Sequence, residues 1–99
     1  MLGNPHNCPD QVRRSLEFYA REGRPLGGFL TAVVSNDLID AVRRADPTNT
    51  VALSDIVAYV EYRLPGACRG SRANVAEWLR AHRRLVLTGN RTATTGDDR

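Results

Sequence analysis

Four side chains in this sequence carry the soft donors that a structural zinc requires: His6, Cys8, Cys68 and His82. The number fits a tetrahedral site, but the spacing does not. A zinc finger supplies a closely spaced pair from each of two turns, whereas Cys68 and His82 are far apart and His82 falls on an apolar helical stripe. The expectation is no metal and no cofactor. Nucleophilic catalysis asks for a Cys or Ser beside a base that a third group orients, and no local signature of that kind occurs. Cys68 lies beside Arg69 in a Gly-containing loop, a setting that can lower a thiol pKa; a small residue filling a loop is the commoner meaning. Gly27-Gly28 precedes a helix as anion-cradling glycines do, yet no Lys follows and the helix behind is apolar. The chain therefore reads as a non-enzyme with no catalytic residue.

Asp55 has Val51, Ala52, Ala58 and Tyr59 at helical spacing, so no charge on its own helix can pair with it. Either a tertiary partner such as Arg24 or Arg69 meets it or water does, a catalytic acid being the third reading. The remaining chemistry is positive charge. All fourteen basic side chains are Arg, which matches the codon bias of a GC-rich genome, and the net charge is +3. Residues 1–68 hold seven Arg against eight acids and residues 69–99 hold seven against three, so any electrostatic function belongs near the C-terminus. Arg69, Arg72, Arg80, Arg83 and Arg84, with Arg91 beyond them, gather around Trp78. Arg80, Arg83 and Arg84 share a helix face opposite Val75 and Leu79, as a phosphate-contacting helix would show. Three meanings stay open for these candidate contacts: a solvated face, a nucleic-acid contact, or a match for an acidic patch on a protein partner.

Five helices must position these residues. Asp10 offers an N-cap, Val12, Leu16, Tyr19 and Ala20 share a face, and Gly23 stops the run, predicting a helix over 10–22 with a Glu17–Arg21 pair on its wet side. After the connector Arg24-Pro25-Leu26-Gly27-Gly28, a short helix over 28–34 is apolar nearly all round and is expected at the centre of the core. Ser35-Asn36-Asp37 ends it and caps a third helix over 37–45, with Leu38, Ile39, Val42 and Ala45 as its inward stripe. Asp46-Pro47 opens a fourth helix over 47–64, on which Leu53, Ile56, Val57, Val60 and Leu64 recur at helical spacing before Pro65-Gly66. Ser71 caps a fifth over 71–84, carrying Val75, Trp78, Leu79 and His82 on one side. The polar stretch from Thr88 to Arg99 is expected to be a disordered tail.

At 99 residues, 41% of them hydrophobic and 25% charged, the chain fits one globular domain, residues 1–87, of all-α class. Its expected core is Leu16, Tyr19, Phe29, Leu30, Val33, Leu38, Val42, Leu53, Ile56, Val57, Val60, Trp78 and Leu79. The first ten residues have neither the basic nor the apolar part of a secretory signal, and the longest apolar stretch is too short to cross a bilayer. A cytoplasmic protein with no membrane partner and reduced cysteines is expected.

From Gly28 onward the pattern Gly28-Phe29-Leu30-Thr31-Ala32-Val33, Asn36-Asp37-Leu38, Ala45-Asp46, Asp55-Ile56-Val57, Pro65, Gly70-Ser71 and Trp78-Leu79 resembles a family of small uncharacterised helical proteins encoded in bacteriophages, prophages and plasmids. About half the chain carries the likeness. Arg69 departs from it, standing where such proteins usually have a Trp. The resemblance implies a mobile-element setting and no particular reaction. Together these readings favour a small helical interaction protein that binds a host or element-encoded protein, with nucleic-acid binding through the Arg-rich last helix as the alternative.

Overall fold

A computed structural model describes residues 3–89, with side chains through Leu85. Five helices follow in chain order: α1 (Asp10–Glu22), α2 (Gly28–Val34), α3 (Leu38–Arg44), α4 (Pro47–Arg63) and α5 (Arg72–Gly89). Single 3₁₀ turns at Pro5–Asn7 and Gly66–Cys68 precede α1 and α5. The described residues contain no strand. The all-α class read from periodicity is the observed one, and the bounds of α1 and α2 agree with it. The last helix runs past Arg84 to Gly89, and the tail expected from Thr88 lies from residue 90 onward outside the described residues.

Local chemistry sets these boundaries. Gly23 ends α1 at φ 69°, its amide donating to the Tyr19 carbonyl. Between α2 and α3 the left-handed residue is Asn36 at φ 63°. Its amide donates to the Val33 carbonyl and that of Asp37 to the Ala32 carbonyl, the two bonds of a Schellman cap. The next side chain caps the following helix, Asp37 Oδ1 accepting from the Asp40 amide at 3.2 Å. Asp46 caps α4 the same way, accepting from the Asn49 amide at 2.7 Å, with Pro47 at the first helical position. Ser71 Oγ accepts from the Asn74 amide at the start of α5. Asp10 is the exception: it lies inside the first turn of α1, behind Pro9, and pairs with Arg13 at 3.2 Å instead of capping.

The core forms where α1, α4 and the start of α5 meet. Leu16, Tyr19, Ile56 and Cys68 are fully enclosed, and Val34, Tyr59, Val60, Leu64, Val75 and Cys8 complete the buried cluster. Phe29, Leu30, Val33, Trp78 and Leu79 pack against it half-buried. The helix expected at its centre, α2, sits at its flank, burying only Ala32 and Val34 among its residues. Two hydrogen bonds run through the interior: Tyr19 Oη donates to the Cys68 carbonyl at 2.6 Å, and Trp78 Nε1 donates to the Tyr19 carbonyl at 2.9 Å. They satisfy groups whose burial would otherwise destabilise the fold.

Two expected pairings are replaced. Glu17 does not bind Arg21; it accepts from Tyr59 Oη at 3.1 Å, tying α1 to α4. Asp55 meets neither Arg24 nor Arg69, because its Oδ1 accepts from the Asn4 amide at 2.8 Å. That bond fastens the N-terminal segment along α4 and lets Cys8 reach the core. Gly3 lies so close to the Ser54 carbonyl that a Cβ there would collide with backbone.

The largest correction concerns α3. Leu38, Ile39 and Val42 were expected to face inward, yet they are 63%, 72% and 52% exposed, and Ala41 is the buried residue of the helix. At about 100° per residue, Ala41, Ala45, Leu38, Val42 and Ile39 span an apolar arc about 160° wide, more than one contact can cover. The helix settles onto α2 by its small-residue edge, where the tight Asn36 turn brings the two backbones close, and its large side chains are left outside. Leu53 and Val57 of α4, also expected in the core, are half-buried and outside the core cluster for the same reason: α3 does not close over them.

Candidate functional site

The consequence is an open groove of about 410 Å³ between α3 and α4. Val33 and Val34 of α2 lie at its base, Leu38 and Ala41 form one wall, Leu53 and Val57 the other. Beside Leu38 the side chains of Ile39 and Val42 stand out into solvent. An apolar hollow and an apolar ridge thus lie next to each other on one face. Contiguous exposed apolar surface of this kind marks interaction sites on soluble proteins. Charges frame it: Asp37, Glu61 and Arg69 line the groove, and Arg43 follows Val42 on α3.

The five arginines singled out in the sequence do not form one surface. Arg69 is three-quarters buried, donating to the carbonyls of Glu61 and Leu64 and pairing with the Glu61 carboxylate at 3.7 Å. It lines the groove and clamps the end of α4. Arg72 bridges α5 to α3 through Asp37 at 2.9 Å and Asp40 at 3.2 Å. Its guanidinium bond holds the Asp37 carboxyl below the usual carboxylate range. On α5, Arg80 pairs with Glu77 at 2.7 Å and Arg84 reaches the same carboxylate at 3.5 Å. Arg83 forms no ion pair among the described residues. The basic patch therefore divides into two structural clamps and an α5 face whose charge Glu77 partly neutralises.

The thiols are not poised for chemistry. Burial pushes Cys8 up from about 9 to about 11 and raises Cys68, whose Sγ donates to the Pro65 carbonyl. Arg69 beside Cys68 opposes that shift without reversing it. Among the described residues no three His, Cys, Asp or Glu side chains converge as metal ligands, and no helix is long and apolar enough to cross a membrane.

Sequence reasoning missed the α3 face because it treated one apolar stripe as one buried contact. The signal was present in the two-turn length of α3 and in Ile39, which lies too far around the helix from Ala41 to share its contact. No protein-family model, curated protein or solved structure matches the chain.

Proposed function

We propose that this chain is a non-enzymatic helical binding protein of a phage or another mobile element, working in the cytoplasm, and that it engages a protein partner through the α3 face. The observation that carries the reading is the exposure of Leu38, Ile39 and Val42 together on α3, with Leu38 also lining the groove beside it. Apolar side chains left in water gain when a partner covers them, at about 25 cal/mol for each Å² removed from water. The ion pairs that occupy Arg72 and Arg80 support protein over nucleic acid as the partner, since each phosphate contact would compete with an existing carboxylate.

The test is affinity purification from a natural host, with and without nuclease, comparing the wild type with Leu38→Asp/Val42→Asp. A protein retained after nuclease treatment and lost with the double variant is the expected result. Capture that vanishes with nuclease, and with Arg80→Ala/Arg83→Ala/Arg84→Ala, would overturn it in favour of nucleic-acid binding through α5.

A further inference from the structure

We infer that the occupant of the α3 face is a second copy of this chain, the two α3 helices crossing antiparallel about a two-fold axis. The inference rests on the reading of α3 as a binding face. Three features of that face point to self-pairing.

The first is shape. Ridge and hollow are neighbours on the same molecule: Leu38 lines the hollow together with Leu53 and Val57 of α4, and Val42 and Ile39 follow Leu38 on the exposed side of α3. A two-fold operation sets each copy's ridge against the other's hollow, the self-complementary arrangement of an isologous dimer. The second is charge order. Asp37 and Asp40 stand at the start of α3, Arg43 and Arg44 at its end. A uniformly charged partner would be repelled at one end, whereas an antiparallel copy presents Arg43 to the other's acidic end and opposes the two helix dipoles. Asp40 is already shared by Arg44 and Arg72, so Asp37 and Glu61 are the carboxylates left to receive Arg43. Arg43 forms no ion pair among the described residues, Asp37 retains 38% side-chain exposure while bonded to Arg72, and Glu61 is 62% exposed with only the long 3.7 Å contact to Arg69. The third is register. Seven residues of α3 span about 10 Å, so crossing level with Asp40, one residue from Ile39, places Leu38 of each copy over Val42 of the other and fills both ends at once.

Such a contact is smaller than the roughly 800 Å² per partner of a standard stable interface, so the dimer is concentration-dependent. Sedimentation velocity on the full chain from about 1 to 500 µM spans the weak range expected of a small interface. Ile39→Asp, at a site exposed enough to leave the fold intact by thermal melting, should raise the dissociation constant at least about 100-fold by placing a carboxylate against apolar side chains. Arg43→Asp should weaken the dimer roughly tenfold at low salt and less at high salt. Ile39→Cys should yield an inter-chain disulfide on mild oxidation. A wild type that stays monomeric at the highest concentration, or a dimer that Ile39→Asp leaves unchanged, overturns the inference. The binding-face reading fails separately: if the wild type is monomeric but the host protein is still lost with Leu38→Asp/Val42→Asp, the face stands and only self-pairing falls.

Discussion

The helix α4 has two apolar edges with different fates. On one, Ile56 packs in the buried cluster with Leu16 and Tyr19 of α1 and is closed from water; on the other, Leu53 and Val57, with the buried Val60 between them and Ile56, line a gap that α3 leaves open. Residue type does not separate the two edges, and neither does periodicity. The difference is the neighbour. On the first edge α1 supplies large side chains and the Glu17 carboxylate that accepts from Tyr59 of α4; on the second α3 meets α2 through Ala41 and is held to α5 by exposed ion pairs at Arg72. One side of the molecule is therefore held by burial and the other by surface charge, and the two sides should respond differently to mutation, pH and salt.

The sharpest contrast is Ile56→Ala, which empties a fully enclosed site and should lower unfolding free energy by about 2 to 5 kcal/mol, against Val57→Ala one residue away. Urea denaturation of both variants checks it, and equal losses would mean that the groove closes in solution. Next comes Tyr19→Phe. Without the hydroxyl the buried Cys68 carbonyl loses its partner, a cost of about 1 to 3 kcal/mol. A change near zero would show that water replaces the hydroxyl and that the interior is wetter than its packing implies.

Alkaline titration probes the buried side as a unit. Burial raises Cys8 to about 11, and burial with the bond to Glu17 raises Tyr59 to about 12. Both folded values lie above the unfolded ones, so the fold favours the protonated forms. Their contribution is complete below about pH 9 and is lost as pH rises through 11 and 12. Urea midpoints should fall across that interval, and less steeply in Cys8→Ala.

The charged side should show the opposite limb. Asp37, held below its ordinary 3.8 first by the Arg72 hydrogen bond and then by the Asp40 amide, contributes above that value and loses its contribution as pH falls below it. The carboxylate is exposed, so the effect is small and weakens with salt. Asp37→Asn should flatten the acid limb of stability measured at low ionic strength and leave the alkaline limb alone. An unchanged acid limb would mean that Arg72 does not hold α3.

How much of this was legible in the sequence follows the same division. Asn36, Asp46 and Gly23 announce helix boundaries because caps are local chemistry, readable from a residue and its neighbours. The burial of Leu16, Tyr19 and Ile56 was legible because strong stripes on α1 and α4 have only one large partner available, each other. What could not be read was which edge of a wide apolar arc would win. That choice at α3 depends on how closely the Asn36 turn draws α3 onto α2, a distance between backbones that no single-helix pattern encodes. The role of Asp55 was hidden similarly, since its partner is a backbone amide of Asn4 and not a side chain that composition could flag.

The smallest expected effect tests that choice most directly. Leu38→Ser and Val42→Ser remove apolar groups that are already 63% and 52% exposed, so in dilute solution each should change stability by less than about 0.5 kcal/mol. If α3 instead rotated its stripe inward over Leu53 and Val57, the same substitutions would bury a hydroxyl and open a void, with losses above about 2 kcal/mol. Protein concentration adds a second axis. A face that pairs with another copy stabilises the wild type as concentration rises, because association draws on the folded chain alone. Thermal melts of the wild type and Val42→Ser should therefore coincide at low micromolar concentration and separate at several hundred, the wild type melting higher. Coincidence at both ends would leave α3 open but unpaired, and separation at both would place Val42 in the core.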